Sequence, residues 1–217
     1  MRHAPALTVA LISALYAPSG HADEGFTFEN KGGLSMETAN GNFTFQVIGR
    51  IQADAAFYAD DVEDLGSGTE LRRARLGVQG IFLKHWGYKS EFDFAGEDVT
   101  LADVYLQYLG FDPLVFTVGH FKQPFSLDNI TSSNDITCME WALTYDAFTP
   151  PRHIDVGIGA GTAHWSTNTG VFGETAAEAA GDNPDGGEAD SSISAAARLT
   201  FAPIATDTRV VHLGASV

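Results

Sequence analysis

An all-β fold, a transmembrane antiparallel β-barrel, is what this sequence predicts, and three observations predict it. Runs of alternating apolar and polar residues recur along the chain. Their polar positions carry charge where a soluble core would carry leucine. The breaks between the runs alternate between long and short. In Glu70-Leu71-Arg72-Arg73-Ala74-Arg75-Leu76-Gly77-Val78-Gln79-Gly80-Ile81-Phe82, one set is Ala74, Leu76, Val78, Gly80 and Phe82, and the other is Arg73, Arg75, Gly77 and Gln79. Successive strand residues face opposite sides of a sheet, so this strand is oily on one face and basic on the other. Such a strand suits a wall between lipid and water.

The first 22 residues read as a signal peptide. Arg2 and His3 precede an apolar stretch at residues 6–17, which Pro18 ends, and Gly20 and Ala22 are the small residues of a cleavage site. Cleavage after Ala22 leaves a mature chain beginning at Asp23. Residues 23–41 form a polar lead-in with no clear period. No other apolar run approaches the ~20 residues that a membrane-spanning helix needs. Barrel strands hide from such a search, and the mean hydropathy of -0.03 fits them.

The strands follow in order. Residues 42–58 set Phe45, Val47, Gly49, Ile51, Ala53, Ala55 and Phe57 on one face, and Gln46, Arg50, Gln52 and Asp54 on the other. An acidic loop, 59–68, leads to the strand at 69–83 and a short turn at 84–87. The third strand, 88–95, places Tyr88, Phe92 and Phe94 outward and Lys89, Glu91 and Asp93 inward. After Gly96-Glu97-Asp98 comes a fourth strand, 99–109, with Asp103, Tyr105 and Gln107 on its polar face. Gly110-Phe111-Asp112-Pro113 is a tight turn, since Gly and Pro interrupt strands. A fifth strand at 114–121 enters a break at 122–153. Strands resume at 154–162, 165–172, 192–201 and from 210 onward, with a Gly-, Ala- and acid-rich segment at 173–191. With a periplasmic N-terminus, long connections fall outside and short ones inside, as in bacterial outer-membrane barrels. Roughly eight to nine strands are present, and an even-numbered conducting barrel requires more, so the sequence reads as the first part of a larger barrel.

Composition narrows the function. Formal net charge is -16, and loss of Arg2 with the leader leaves 11 basic against 28 acidic residues, or -17. That balance argues against nucleic acid, whose phosphates need a basic surface. Cys138 is the single cysteine, so the sequence offers no internal disulfide. The seven histidines never fall at metal-ligand spacing on one element, and the acids of residues 181–188 miss the positions an EF-hand loop requires. No nucleophile, base and acid stand together. The reading is therefore of a protein without cofactor, metal or catalytic site.

Several stretches taken together resemble the phosphate-selective porin O and P family. They are Gly49-Arg50-Ile51-Gln52, the Glu70–Val78 run quoted above, Tyr88-Lys89-Ser90-Glu91-Phe92-Asp93-Phe94-Ala95-Gly96 and Asp103-Val104-Tyr105-Leu106-Gln107-Tyr108. They continue with Val118-Gly119-His120-Phe121-Lys122-Gln123-Pro124-Phe125-Ser126, Thr131-Ser132-Ser133, Met139-Glu140, Val171-Phe172-Gly173 and His212-Leu213-Gly214-Ala215-Ser216. They cover residues 41–217 in order. The resemblance implies a barrel of about sixteen strands, normally a homotrimer, in the outer membrane of a Gram-negative bacterium. It also implies that the long loop, here 122–153, folds into the lumen, and that basic residues there draw anions, phosphate above all.

On that reading the anion path is lined by Arg50, Arg73, Arg75 and Lys89, with Lys122 and Arg152 at the ends of the inserted loop. Asp54, Glu91, Asp93 and Asp103 share the inner faces and are expected to pair with these cations across strands. The loop region itself carries Asp128, Asp135, Glu140, Asp146 and Asp155, an acidic set that would repel phosphate from a constriction. The expected function is passive diffusion of small anions through a water-filled channel, with outer-membrane lipid and lipopolysaccharide as surroundings. A general or cation-leaning porin, or a surface barrel with a binding role, is the alternative.

Overall fold

The structure, a computed structural model, describes residues 26–30, 34–58, 66–175 and 193–217. The leader predicted at residues 1–22 lies outside these residues, as do the acidic loop segments 59–65 and 176–192. No helix among the described residues is long and apolar enough to cross a membrane, which says nothing of a β-barrel.

Eleven strands form one antiparallel sheet in which every strand pairs with its neighbours in sequence. They are β1 (Phe26–Asn30), β2 (Leu34–Thr38), β3 (Phe43–Ala56), β4 (Gly68–Phe82), β5 (Trp86–Asp93), β6 (Thr100–Phe111) and β7 (Leu114–Lys122). After two short helices, α1 (Leu127–Ile130) and α2 (Leu143–Phe148), come β8 (Arg152–Gly161), β9 (Trp165–Phe172), β10 (Ser194–Ala205) and β11 (Val210–Ser216). In this all-next-neighbour order β2 to β10 have partner strands on both sides, and β1 and β11 form the two edges of the described sheet. In lipid that requirement is strict, because no water is there to satisfy them.

Alternation along the strands sorts the residues as the sequence predicts. Ile51, Leu76, Val118, Val156 and Leu199 stand exposed on one face, Ile51 to 79%. The opposite face buries Arg73, Glu91, Asp93 and Arg198. An apolar exposed face backed by a charged sheltered one is the inverse of a soluble domain. The band of apolar side chains is what a bilayer covers.

The described residues hold eleven strands where eight to nine are predicted, and several boundaries differ: Gly110 and Phe111 belong to β6 rather than the turn, and Lys122, Arg152 and His153 belong to β7 and β8 rather than the break. The lead-in at 23–41 holds β1 and β2, paired from Phe26↔Thr38 to Asn30↔Leu34, and each is too short for its period to show. The turn predicted at 84–87 is one step earlier. Leu83 and Lys84 take positive φ of 51° and 67°, a twist that suits a tight hairpin, so Trp86 and Gly87 already belong to β5. The strand predicted to end at residue 201 continues to Ala205. Pro203 marks no end because the β10–β11 register shifts between Phe201 and Ile204, an irregularity at which a residue without an N–H is tolerated.

Aromatic rings gather at the end of the sheet where connections are short. Trp86 and Tyr108 meet edge to face at 4.9 Å, Tyr108 reaches Phe111 at 5.3 Å, and Phe111 reaches Phe116 at 6.2 Å. Such rings, apolar in body and polar at the tip, favour the boundary between lipid tails and headgroups.

Candidate functional site: a cavity beneath the inserted loop

The stretch 123–151 leaves the sheet after Lys122 and returns at Arg152, and these two residues are direct cross-strand partners. The loop packs back over the charged face of the sheet through wall side chains. Arg50 donates Nη1 to Asn134 Oδ1 at 2.6 Å, and Gln52 donates Nε2 to the Ser133 carbonyl at 3.2 Å. Lys122 donates Nζ to the Asn129 carbonyl at 2.6 Å. Ser126 caps α1, its hydroxyl accepting from the Asn129 N–H at 3.1 Å.

Between loop and wall lies a cavity of about 400 Å³. Arg50, Arg75, Lys89, Lys122 and Arg152 line it against two carboxylates, Glu91 and Asp103, with Ser132, Ser133 and Asn134 as its loop side. Five of the six cations selected from the sequence thus converge on one space. Arg73 does not; it lies buried beneath the loop.

The wall charges form an alternating chain. Asp103 accepts from Arg152 Nε at 2.7 Å and from Lys89 Nζ at 2.8 Å. Lys89 lies 3.5 Å from Glu91, Glu91 lies 3.9 Å from Arg75, and Arg75 donates Nε to Asp93 at 2.7 Å. Asp93 also accepts from the Ala74 and Ala95 backbone N–H groups at 3.0 and 3.1 Å. Three cations and three carboxylates balance within this chain. The excess charge of the cavity therefore comes from Arg50 and Lys122, which meet only neutral acceptors. Cross-strand pairing holds for Arg75, Lys89 and Arg152, but Arg50 and Lys122 meet neutral acceptors, Asp54 pairs with Arg72, and Arg73 turns to the loop.

Arg73 pairs with neither Glu91 nor Asp93. Its Nη2 lies 2.6 Å from Glu140 Oε2 on the loop, and Nη1 donates to Gln52 at 3.1 Å. Arg72 joins it, which strict alternation does not foresee. The register shifts between Gln52↔Arg73 and Ala53↔Leu71, so Arg72 is an extra residue in a β-bulge. The bulge turns Arg72 inward beside Arg73, where it pairs with Asp54 and reaches Glu140 at 3.2 Å. It also returns Leu71 to the outer face.

Among the described side chains, which exclude that of Asp146, the acids of the loop do not form the expected repulsive set around the cavity. Glu140 is bound by the two arginines, and Asp128 and Asp135 are exposed and absent from the lining of the cavity. Asp155 is buried in β8, away from that lining. One inner-face cation was missed altogether. Arg198 is 5% exposed on β10, and no carboxylate among the described residues pairs with it. The alternation Arg198-Leu199-Thr200-Phe201 carried the signal, since Leu199 and Phe201 claim the outer face.

An antiparallel sheet with a lipid-suited face, a charged face and a loop folded onto the charges defines a wall of the porin kind. A profile of the family described as phosphate-selective porin O and P matches residues 45–217, and the chain belongs to that family. Porin O of Pseudomonas aeruginosa is 27% identical over 221 residues, covering 97% of this chain and 50% of that protein. A protein of Caulobacter vibrioides, described as uncharacterized, is 31% identical over 218 residues, covering 97% of this chain and 43% of its own length. The chain spans about half the length of the curated relatives it matches.

Proposed function

We propose that this chain supplies part of the wall of a closed, water-filled outer-membrane barrel through which small anions diffuse passively, phosphate or polyphosphate among them. The observation that carries the reading is the cavity beneath the loop, where five cations face two carboxylates. Fixed cations in a narrow aqueous space raise the local anion concentration and replace part of the hydration an anion gives up on entry. The work is conduction rather than catalysis. In the complete protein we expect about sixteen strands, three copies around a threefold axis, and lipopolysaccharide against the outer loops.

The test is electrical. Full-length protein in a planar bilayer, under a KCl gradient, should give a reversal potential on the anion side. A reversal potential on the cation side would instead favour a cation-leaning porin, in which the exposed Asp128 and Asp135 govern entry. Sidedness can be checked separately: an epitope inserted near Gly181 should be reachable on intact cells, and one at His85 should not.

A further inference from the structure

The bulge at Arg72 sets two guanidiniums side by side on the inner wall. Asp54 and Glu70 meet Arg72 from the wall itself, and the loop brings a third carboxylate, the one that bridges both arginines. Glu140 Oε2 lies 2.6 Å from Arg73 Nη2 and 3.2 Å from Arg72 Nη1, and Oε1 accepts from Arg73 Nη2 at 2.9 Å. The Trp141 N–H donates to Oε1 at 3.2 Å. The neighbouring Trp141 ring closes the site from the other side. It lies 5.0 Å from the Arg73 guanidinium carbon and 4.9 Å from Lys122 Nζ, and it stacks on Tyr145 at 4.8 Å. A carboxylate taking charge-assisted bonds from two arginines has the contacts that any free oxyanion would seek.

We propose that Arg72 and Arg73 form an anion site whose resident occupant is Glu140, and that this internal anion both latches the loop to the wall and withholds the two arginines from the solute. The proposal rests on the porin reading and deepens it, by separating cations that conduct from cations that are already satisfied. A tethered carboxylate competes at an effective concentration of order millimolar or more, so dilute external anions do not displace it. Removing it opens Arg73 Nη2 and Arg72 Nη1, while Asp54 and Glu70 remain on Arg72. Release also loosens the loop around residue 140, while Arg50, Gln52 and Lys122 still hold residues 129–134 to the wall.

The experiment uses full-length protein in planar bilayers, with chloride as carrier and succinate, a dianion able to take both guanidiniums, as the blocking probe at matched ionic strength. In Glu140→Ala the half-blocking succinate concentration should fall about tenfold or more below that of the native protein, the advantage of an untenanted over a tenanted site. Adding Arg72→Ala and Arg73→Ala to that variant should abolish the gain. A gain that persists without the arginines reports only the loss of one negative charge, and it overturns the proposal. An unchanged half-blocking concentration overturns it as well. A spin label on Cys138, an exposed residue two positions from Glu140, reads the latch directly. It should be held in the native protein and loosen in Glu140→Ala. If that variant fails to assemble, a succinate titration of the labelled native protein decides: loosening at high succinate supports displacement of Glu140, and a label unmoved at saturation overturns it. The native reversal potential, measured on the same channels, judges the porin reading independently of these differences.

Discussion

The inner face of the sheet has two unlike halves. From β3 to β6 it is crowded with charge, and nearly every cation there is tied: Arg75 and Lys89 to Asp93, Glu91 and Asp103, Arg72 to Asp54, and Arg72 and Arg73 to Glu140, with Arg152 at the start of β8 closing the chain on Asp103. From β8 to β10, past Arg152 at its start, Asp155 and Arg198 are the buried charges among the described residues. Gly157, Gly159, Gly161, Ser166 and Asn168 flank an open space of about 580 Å³. Beside them stands Arg198, its guanidinium leaning over Gly214, where a Cβ would lie 3.2 Å from Nη2. Dense charge neutralises itself and becomes scaffold, whereas a lone cation among small residues keeps its field. Counting arginines along a pore wall therefore overstates the charged half and understates the bare one.

The comparison predicts different failures for the two halves. The largest should come from Arg75→Ala, which leaves Asp93 and Glu91 sheltered without their shared partner. The side chains of this group are 14%, 12% and 8% exposed. Breaking such a group costs roughly 3 kcal/mol. Urea unfolding of the assembled barrel should shift accordingly, and a midpoint equal to the native one would show that the chain of pairs is not structural.

Next in size is a pair of glycine replacements. A Cβ on Gly77, in the charged half, would collide with the Ser90 carbonyl oxygen and meet Glu91 Cα at 2.8 Å, both backbone. On Gly159, in the bare half, it would meet the Asn168 side-chain oxygen at 2.6 Å, and that atom can turn aside. Gly77→Ala should cost about 2 kcal/mol. Gly159→Ala should stay within about 0.5 kcal/mol of the native protein. Equal unfolding midpoints would mean that the wall spacing adjusts more freely than the pairing of β4 with β5 suggests.

The smallest effect, and the one most specific to conduction, belongs to Arg198→Ala. Stability should hold, because Arg198 makes no ion pair with a described residue. The anion-to-cation permeability ratio should fall about twofold, equivalent to ~0.4 kcal/mol, and the fall should shrink as salt is raised and the field is screened. A ratio insensitive to Arg198 would return selectivity to Arg50 and Lys122 beneath the loop.

Much of this fold was legible because period two is a local property. Phe45 to Phe57 and Ala74 to Phe82 announce their outer face whatever surrounds them. Arg50, Arg75 and Lys89 followed from the same alternation, and Lys122 and Arg152 from the ends of the long break, and these five meet in one cavity. What escaped the sequence is what depends on distant partners. Arg72 is turned inward by a bulge set by the register with β3, and no residue type marks that shift. Glu140 lies 67 positions from Arg73, so its neutralisation is invisible to any reading of the loop's charge alone. The short β1 and β2 carry too few residues to display a period and are fixed by pairing with each other and with β3.

The neck of the inserted loop has a consequence of another kind. Lys122 and Arg152 face each other directly, and the pairing runs on without a slip through His120↔Ile154 to Leu114↔Ala160. The register of β7 with β8 is thus settled entirely below the loop. Residues 123–151 can be exchanged as a cassette, lengthened, shortened or replaced by a hairpin turn, while the sheet keeps its alignment. Evolution, or an engineer, can change the loop without rebuilding the wall that holds it.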